Sequence, residues 1–198
     1  MKKLLLTLAS AALATWQAAA INWGAGLGVA SYNGDNTPNI SGIPLTLFGT
    51  APWVPSTLFG GYSALTPGGN EAGPGYDSWF PLGYDNFVAV ISSPISVAAD
   101  GLYSFGTFSD DGSALYIDGI LVVNNGGEHA PTAAFADAFL TAGPHTLYVE
   151  YYEGAPLFQA NLTAYVGRGV STNAPDGGTT LALLGLAFAG LVGLRRRV

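Results

Sequence analysis

Two adjacent carboxylates, Asp110 and Asp111, stand in the run Ser109-Asp110-Asp111-Gly112-Ser113. Successive side chains of an extended strand point to opposite faces, so the pair converges on one cation only where the backbone departs from the strand. The competing reading is a turn whose carboxylates cap backbone amides. Other chemistry is thinner. His129 and His145 are the only histidines, no cysteine accompanies them, and Glu128 beside His129 lacks the helical spacing of a zinc protease site. A serine nucleophile needs a strand-turn-helix elbow such as Gly-x-Ser-x-Gly, which the sequence lacks. A glycosidase needs two juxtaposed carboxylates, and a small domain so poor in bases has little with which to stabilise a transition state.

The charge balance narrows the partners. Between Ile21 and Pro175 twelve carboxylates face one base, Arg168, a net charge of about −11. Such a surface repels nucleic acid and anionic lipid and favours neutral partners or divalent cations. The absence of cysteine excludes disulfides and thiolate chemistry, so a core must hold the fold unaided. Residues 21–166 suffice for one domain with a sizeable core.

Both ends carry addresses. Lys2 and Lys3, an apolar segment from Leu4 to about Trp16, and Ala18-Ala19-Ala20 read as a secretory signal over residues 1–20, with the mature chain beginning near Ile21. At the other end a linker and motif (167–178) precede a membrane helix with a basic tail (179–198). The apolar run from Thr179 to Leu194 is slightly short of the roughly 20 residues of an ordinary span, and the arginines lengthen its reach by snorkelling. Arg195, Arg196 and Arg197 stay cytoplasmic by the positive-inside rule, placing residues 21–178 outside the inner membrane. Taken alone, this run is an ordinary anchor. With Pro175-Asp176-Gly177-Gly178 before it, the tail resembles the PEP-CTERM class of sorting signals, in the subgroup whose motif reads Val-Pro-Asp-Gly-Gly or Val-Pro-Asp-Ser-Gly; Ala174 replaces the Val. The resemblance implies recognition by an exosortase, cleavage near the motif, an inner-membrane-anchored intermediate, and then the cell surface or extracellular space.

The cargo reads as strands. Gly, Pro, Asn, Asp and Ser punctuate it every eight to twelve residues, and no segment between Ile21 and Arg168 keeps a helical apolar period. Tyr103, Phe105 and Thr107 share one face. Leu147, Val149 and Tyr151 alternate with Thr146, Tyr148, Glu150 and Tyr152, and Ala160, Leu162, Ala164 and Val166 with Gln159, Asn161, Thr163 and Tyr165. Asp118-Gly119 between Ala114-Leu115-Tyr116-Ile117 and Ile120-Leu121-Val122-Val123 predicts a two-residue hairpin. The fold class expected is all-β, an antiparallel β-sandwich with long loops, flanked by the signal helix and the C-terminal membrane helix. Thr50 to Tyr84, rich in Gly and Pro, reads as long loops. Trp53, Tyr62, Tyr76, Trp79 and Tyr84 either stack on sugar rings or close over the core.

The order strand, Ser109-Asp110-Asp111-Gly112-Ser113, strand, Asp118-Gly119, strand, followed by Thr141-Ala142-Gly143-Pro144-His145 and Val149-Glu150-Tyr151-Tyr152-Glu153, resembles the protective-antigen-type β-sandwich module of bacterial toxins, glycosidase accessory domains and flocculin-type adhesins. Tyr32-Asn33-Gly34 and Ile40 to Leu45 resemble its opening, so the likeness spans about residues 28–166. In sugar-binding members the paired aspartates are joined by a cis peptide and hold a cation. The resemblance implies calcium, whose shell of about 6–8 oxygens leaves room for vicinal sugar hydroxyls. Asp110 and Asp111 are then the metal and glycan residues. The third protein ligand stays open among Asn124, Asn125, Glu153 and Asn161, with Glu153 favoured because it follows the matched strand; Asn124 and Asn125 are also candidates for the glycan. His145 is expected to be structural.

Three functions follow as expectations: a non-enzymatic exported module that binds polysaccharide at the envelope or in the matrix, an inert structural surface protein, and, third, an envelope glycan hydrolase.

Overall fold

The computed structural model describes residues 21–28, 31–51, 53–55, 62–65, 86–154 and 161–171. The signal segment and the sorting tail, with Pro175 to Gly178 and Arg195 to Arg197, lie outside the described residues. No described helix is long and apolar enough to cross a membrane.

Among the described residues all the regular elements are strands, paired antiparallel in two sheets. In chain order they are β1 (Ile21–Leu27), β2 (Thr46–Ala51), β3 (Trp53–Pro55), β4 (Ser63–Leu65), β5 (Phe87–Val97), β6 (Gly101–Asp110), β7 (Ser113–Ile117), β8 (Ile120–Asn125), β9 (Thr132–Leu140), β10 (Gly143–Glu153), β11 (Asn161–Val166) and β12 (Val170–Ser171). The first sheet runs β2-β1-β5-β10-β7-β8, with β12 also on β5; the second runs β3-β4-β11-β6-β9. Among the described residues this is the expected antiparallel sandwich.

The hairpin forms where expected. Asp118 and Gly119 have φ of 51° and 79°, the left-handed pair that matches the twist of the flanking strands, and Ile117 faces Ile120. Alternation fills the core: Ile91, Ile95, Leu115, Leu147, Val149 and Tyr151 from the first sheet meet Phe105, Leu162, Ala164 and Val166 from the second. Each Ile, Leu, Val and Phe among these contributes roughly 1.5–3 kcal/mol on leaving water.

Several expectations are corrected. Asn161, Thr163 and Tyr165 alternate with apolar neighbours, yet every residue of β11 is buried. An aromatic layer covers its far side. Phe135 and Tyr165 lie 5.8 Å apart, and Tyr62 packs 5.3 Å from the first and 6.3 Å from the second. Gly106 sits between Tyr165 and Phe135 in the register, and a Cβ there would come within 2.3 Å of the Phe135 ring, so only glycine lets the rings close over the strand. Tyr62 thus takes the covering role; Tyr76, Trp79 and Tyr84 lie outside the described residues. Tyr152, expected on the polar face of β10, is also buried, beneath Tyr32 of the 31–44 loop. Within the stretch from Thr50 to Tyr84 the chain forms β3 and β4, both paired into the second sheet. β1, which opens at Ile21 where the domain is expected to begin, lies between β2 and β5, and β12 pairs with β5 beyond Val166.

Candidate functional site

β6 ends at Asp110 and β7 begins at Ser113, and the Asp110–Asp111 peptide bond between them is cis. Behind this corner the core turns polar. Ser109 and Ser113 hydroxyls lie 2.8 Å apart, Ser113 donates to Thr107 Oγ1 at 2.9 Å, and Asn125 Nδ2 donates to Ser109 Oγ at 3.1 Å, all buried. The network ties β6 to β7 and β8.

The two carboxylates do different work. Asp111 Oδ1 accepts the amide of His129 and Oδ2 the amide of Gly154, each at 2.9 Å, so one side chain holds two loops. The carboxylate of Asp110 accepts no hydrogen bond among the described residues. Burial, followed by the charge of Asp111, raises its pKa above the ordinary value.

Glu153 lies beside them and is almost wholly buried. Burial first, then the charges of Asp111 and Asp110, push its pKa up to about 8. The Tyr151 hydroxyl reaches both Glu153 Oε2, at 2.5 Å, and the carbonyl oxygen of Asp110. A phenol has one proton, so both contacts are satisfied together when Glu153 is protonated and supplies the second.

Asn161 is the exception to the good pairing elsewhere. It opens β11 directly opposite Asp110, is 1 % exposed, and neither its Oδ1 nor its Nδ2 has a partner. The only other buried side-chain atom without a partner among the described residues is the Tyr32 hydroxyl, on the ring that stands edge-on to Tyr152 at 5.7 Å. An unsatisfied buried polar group costs about 1–3 kcal/mol. Both orphans belong to the Asp111 end of the sandwich: Asp111 is the leading charge acting on the Tyr32 phenol, whose pKa is raised chiefly by burial.

The remaining candidates are hydrogen-bonded to protein groups. Asn124 donates to the Asp35 carbonyl at 2.6 Å and accepts the Gly126 amide at 3.0 Å; Asn125 donates to Ser109 and to the Thr132 carbonyl. The His129 ring is taken up by the carbonyls of Asn125 and Ala130, both at 3.0 Å. Among the described residues no group of three His, Asp or Glu side chains is placed to hold a metal. The structure brings together Asp110, Asp111, Glu153 and Asn161, with Glu153 bonded to Tyr151, while the side chains of Asn124 and Asn125 are engaged by protein groups. The sequence places Tyr32 and Tyr151 in the resembling segments, but carries no signal for their part in this site.

The loops around Asp111 are closely fitted. A Cβ on Gly126 would lie 1.6 Å from the Asn36 carbonyl oxygen, so the 124–128 and 33–38 loops meet through backbone. Gly126→Ala is expected to destabilise the protein by about 1–3 kcal/mol, because a main-chain oxygen cannot swing aside as a side chain would. Thermal unfolding of the variant checks this.

The PA14 domain model matches residues 72–176, and a VPDSG-CTERM motif is present over residues 175–198. Among solved structures, an anti-sigma factor domain-containing protein is 17% identical, with 76% of this chain and 43% of that chain covered and a TM-score of 0.48, so the chain spans less than half of that protein. A PA14 sugar-binding domain from an RTX adhesin is 15% identical (80% and 100% covered, TM-score 0.43). The PA14 domain of the MpAFP antifreeze protein is 14% identical (81% and 84% covered, TM-score 0.42). No curated protein matches the chain.

Proposed function

The chain belongs to the PA14 domain family, and from that premise we propose that it is an exported surface or matrix protein that binds glycan through a calcium ion held at the Asp110–Asp111 corner. The observation that carries this reading is Asn161. A buried amide with no partner, opposite Asp110, is a cost that a ligand at this place would remove. The donors available are carboxylate and amide oxygens, the hard set that suits calcium rather than zinc. Asp110, Asp111 and Asn161 would hold the ion. Glu153, whose carboxyl is engaged by Tyr151, is a neighbour of the ion rather than the first choice as ligand. Bound calcium would supply open coordination positions for vicinal hydroxyls, and the acidic domain would help to gather it.

A glycan array probed with the exported protein, with and without chelator, tests the reading. Retention on neutral glycans lost in chelator supports it, whereas no retention in either condition supports an inert structural protein. Turnover of a glycan would point instead to a hydrolase.

The same reading makes the sorting motif an address for an exosortase. In a host carrying the matching enzyme, the exported protein is expected to end near Pro175 to Gly178, as read by mass spectrometry; a C-terminus intact to Val198 would leave an ordinary anchor. Replacing Arg195, Arg196 and Arg197 with Ala should impair retention during sorting.

A further inference from the structure

At the opposite end of β7 from Asp111, the Asp118-Gly119 turn is tied to the start of β10. Asp118 Oδ1 accepts the Thr146 amide at 2.8 Å, and the Asp118 amide donates to the Thr146 carbonyl at 2.9 Å. Asp118 Oδ2 lies 2.6 Å from His145 Nδ1, and His145 Nε2 lies 2.8 Å from the Thr141 carbonyl. Both ring nitrogens therefore face acceptors. A neutral imidazole has one N–H and can donate to only one of them, whereas the imidazolium donates to both. The ring is 10% exposed in its side chain, enough shelter for the choice to matter.

These residues bound a groove between β8 and β9, the edge strands of the two sheets, with Ile117, Ile120 and Val122 on one side and Phe139 and Leu140 on the other. The charged group facing His145 is Asp118 of the hairpin; Asp137 of β9 lines the same groove, and Asp100 of the β5–β6 turn accepts the Ala142 amide at 2.7 Å beside Thr141, so the charges around this end are acidic. Arg168 forms no ion pair with any of them.

We infer that Asp118, His145 and Thr141 form a proton-operated latch that joins the β7–β8 turn to the β9–β10 turn and closes one end of this groove. With the proton present, the ring spans the two turns. On its loss a bare nitrogen faces an oxygen lone pair, one contact is released, and the groove end loosens.

The bond from Asp118, then that from Thr141, raises the His145 pKa above 6.5 against the opposing effect of burial. For Asp118 burial acts upward, but the bonds from His145 and Thr146 outweigh it and hold the carboxyl below its usual value. A histidine raised on folding contributes its full stability below its unfolded pKa and loses it as pH rises through the folded one. The latch is therefore closed in mild acid and opens on the alkaline side.

Amide hydrogen exchange and histidine NMR on the full-length chain across pH 5–9 test this. The His145 ring should titrate above 6.5, and exchange at residues 118–120 and 141–146, taken relative to the intrinsic base-catalysed rate, should quicken several-fold across that same step, with no such step at Asp111. His145→Gln should abolish the local step, and Asp118→Asn, which keeps an oxygen for the Thr146 amide, should lower the titration. A His145 titration at or below 6.5, or the same exchange step in His145→Gln, would overturn the latch.

Discussion

Asp111→Ala is expected to destabilise the calcium-free protein by roughly 2–4 kcal/mol, whereas Asp110→Ala leaves it within about 0.5 kcal/mol. Asp111 accepts two amides from separate loops, at His129 and Gly154, and its removal strands both donors. The Asp110 carboxylate accepts nothing among the described residues, and its partial burial beside Asp111 makes its charge a mild burden. Either change should abolish calcium binding, because charge count is a main determinant of calcium affinity. Urea unfolding in chelator, followed by the same series in calcium, separates the two effects. Equal losses for both variants in chelator would mean that the pair acts only as a turn.

Asn161→Leu should divide stability from function more sharply. Leucine has nearly the shape of asparagine and carries no orphan donor or acceptor, so the calcium-free protein should gain about 1–3 kcal/mol. The same variant should lose the stabilisation by calcium, since the amide oxygen opposite Asp110 is gone. A variant that is less stable in chelator, or that responds to calcium as the parent does, would remove Asn161 from the site. The test is directional: an ordinary core position loses stability on any change of chemistry, and a ligand position held without its ligand gains it.

Much of the frame can be read from residue order. Asp118-Gly119 announces its hairpin because few pairs tolerate two left-handed residues, and Leu147, Val149 and Tyr151 announce the core face of β10 through their period of two. What is not legible is what covers the other face. Tyr152 and Tyr165 look like outward residues until the 31–44 loop and Phe135 with Tyr62 are laid over them, and those partners are far away in sequence. The site divides in the same way. Asp110-Asp111-Gly112 is visible as a local motif, and Asn161 can be named as one polar residue among several. We propose Asn161 ahead of Glu153 on the strength of the β6–β11 register and of the Tyr151 hydroxyl, which alternation does not encode. Asn124 and Asn125 look like ligands because they are amides near the motif. Their hydrogen bonds to Asp35, Ser109 and Thr132 are set by loop and strand packing that the sequence does not display.

The most direct test of the central claim is the melting temperature of the exported protein in millimolar calcium against chelator, taken alongside Asp110→Asn with Asp111→Asn. A ligand bound only by the folded state at a hundredfold excess over its Kd adds about 2.7 kcal/mol, or about 5–10 °C for a domain of this size. The account predicts a rise of that order in the parent and none in the double variant. A melting temperature identical in calcium and chelator would contradict it.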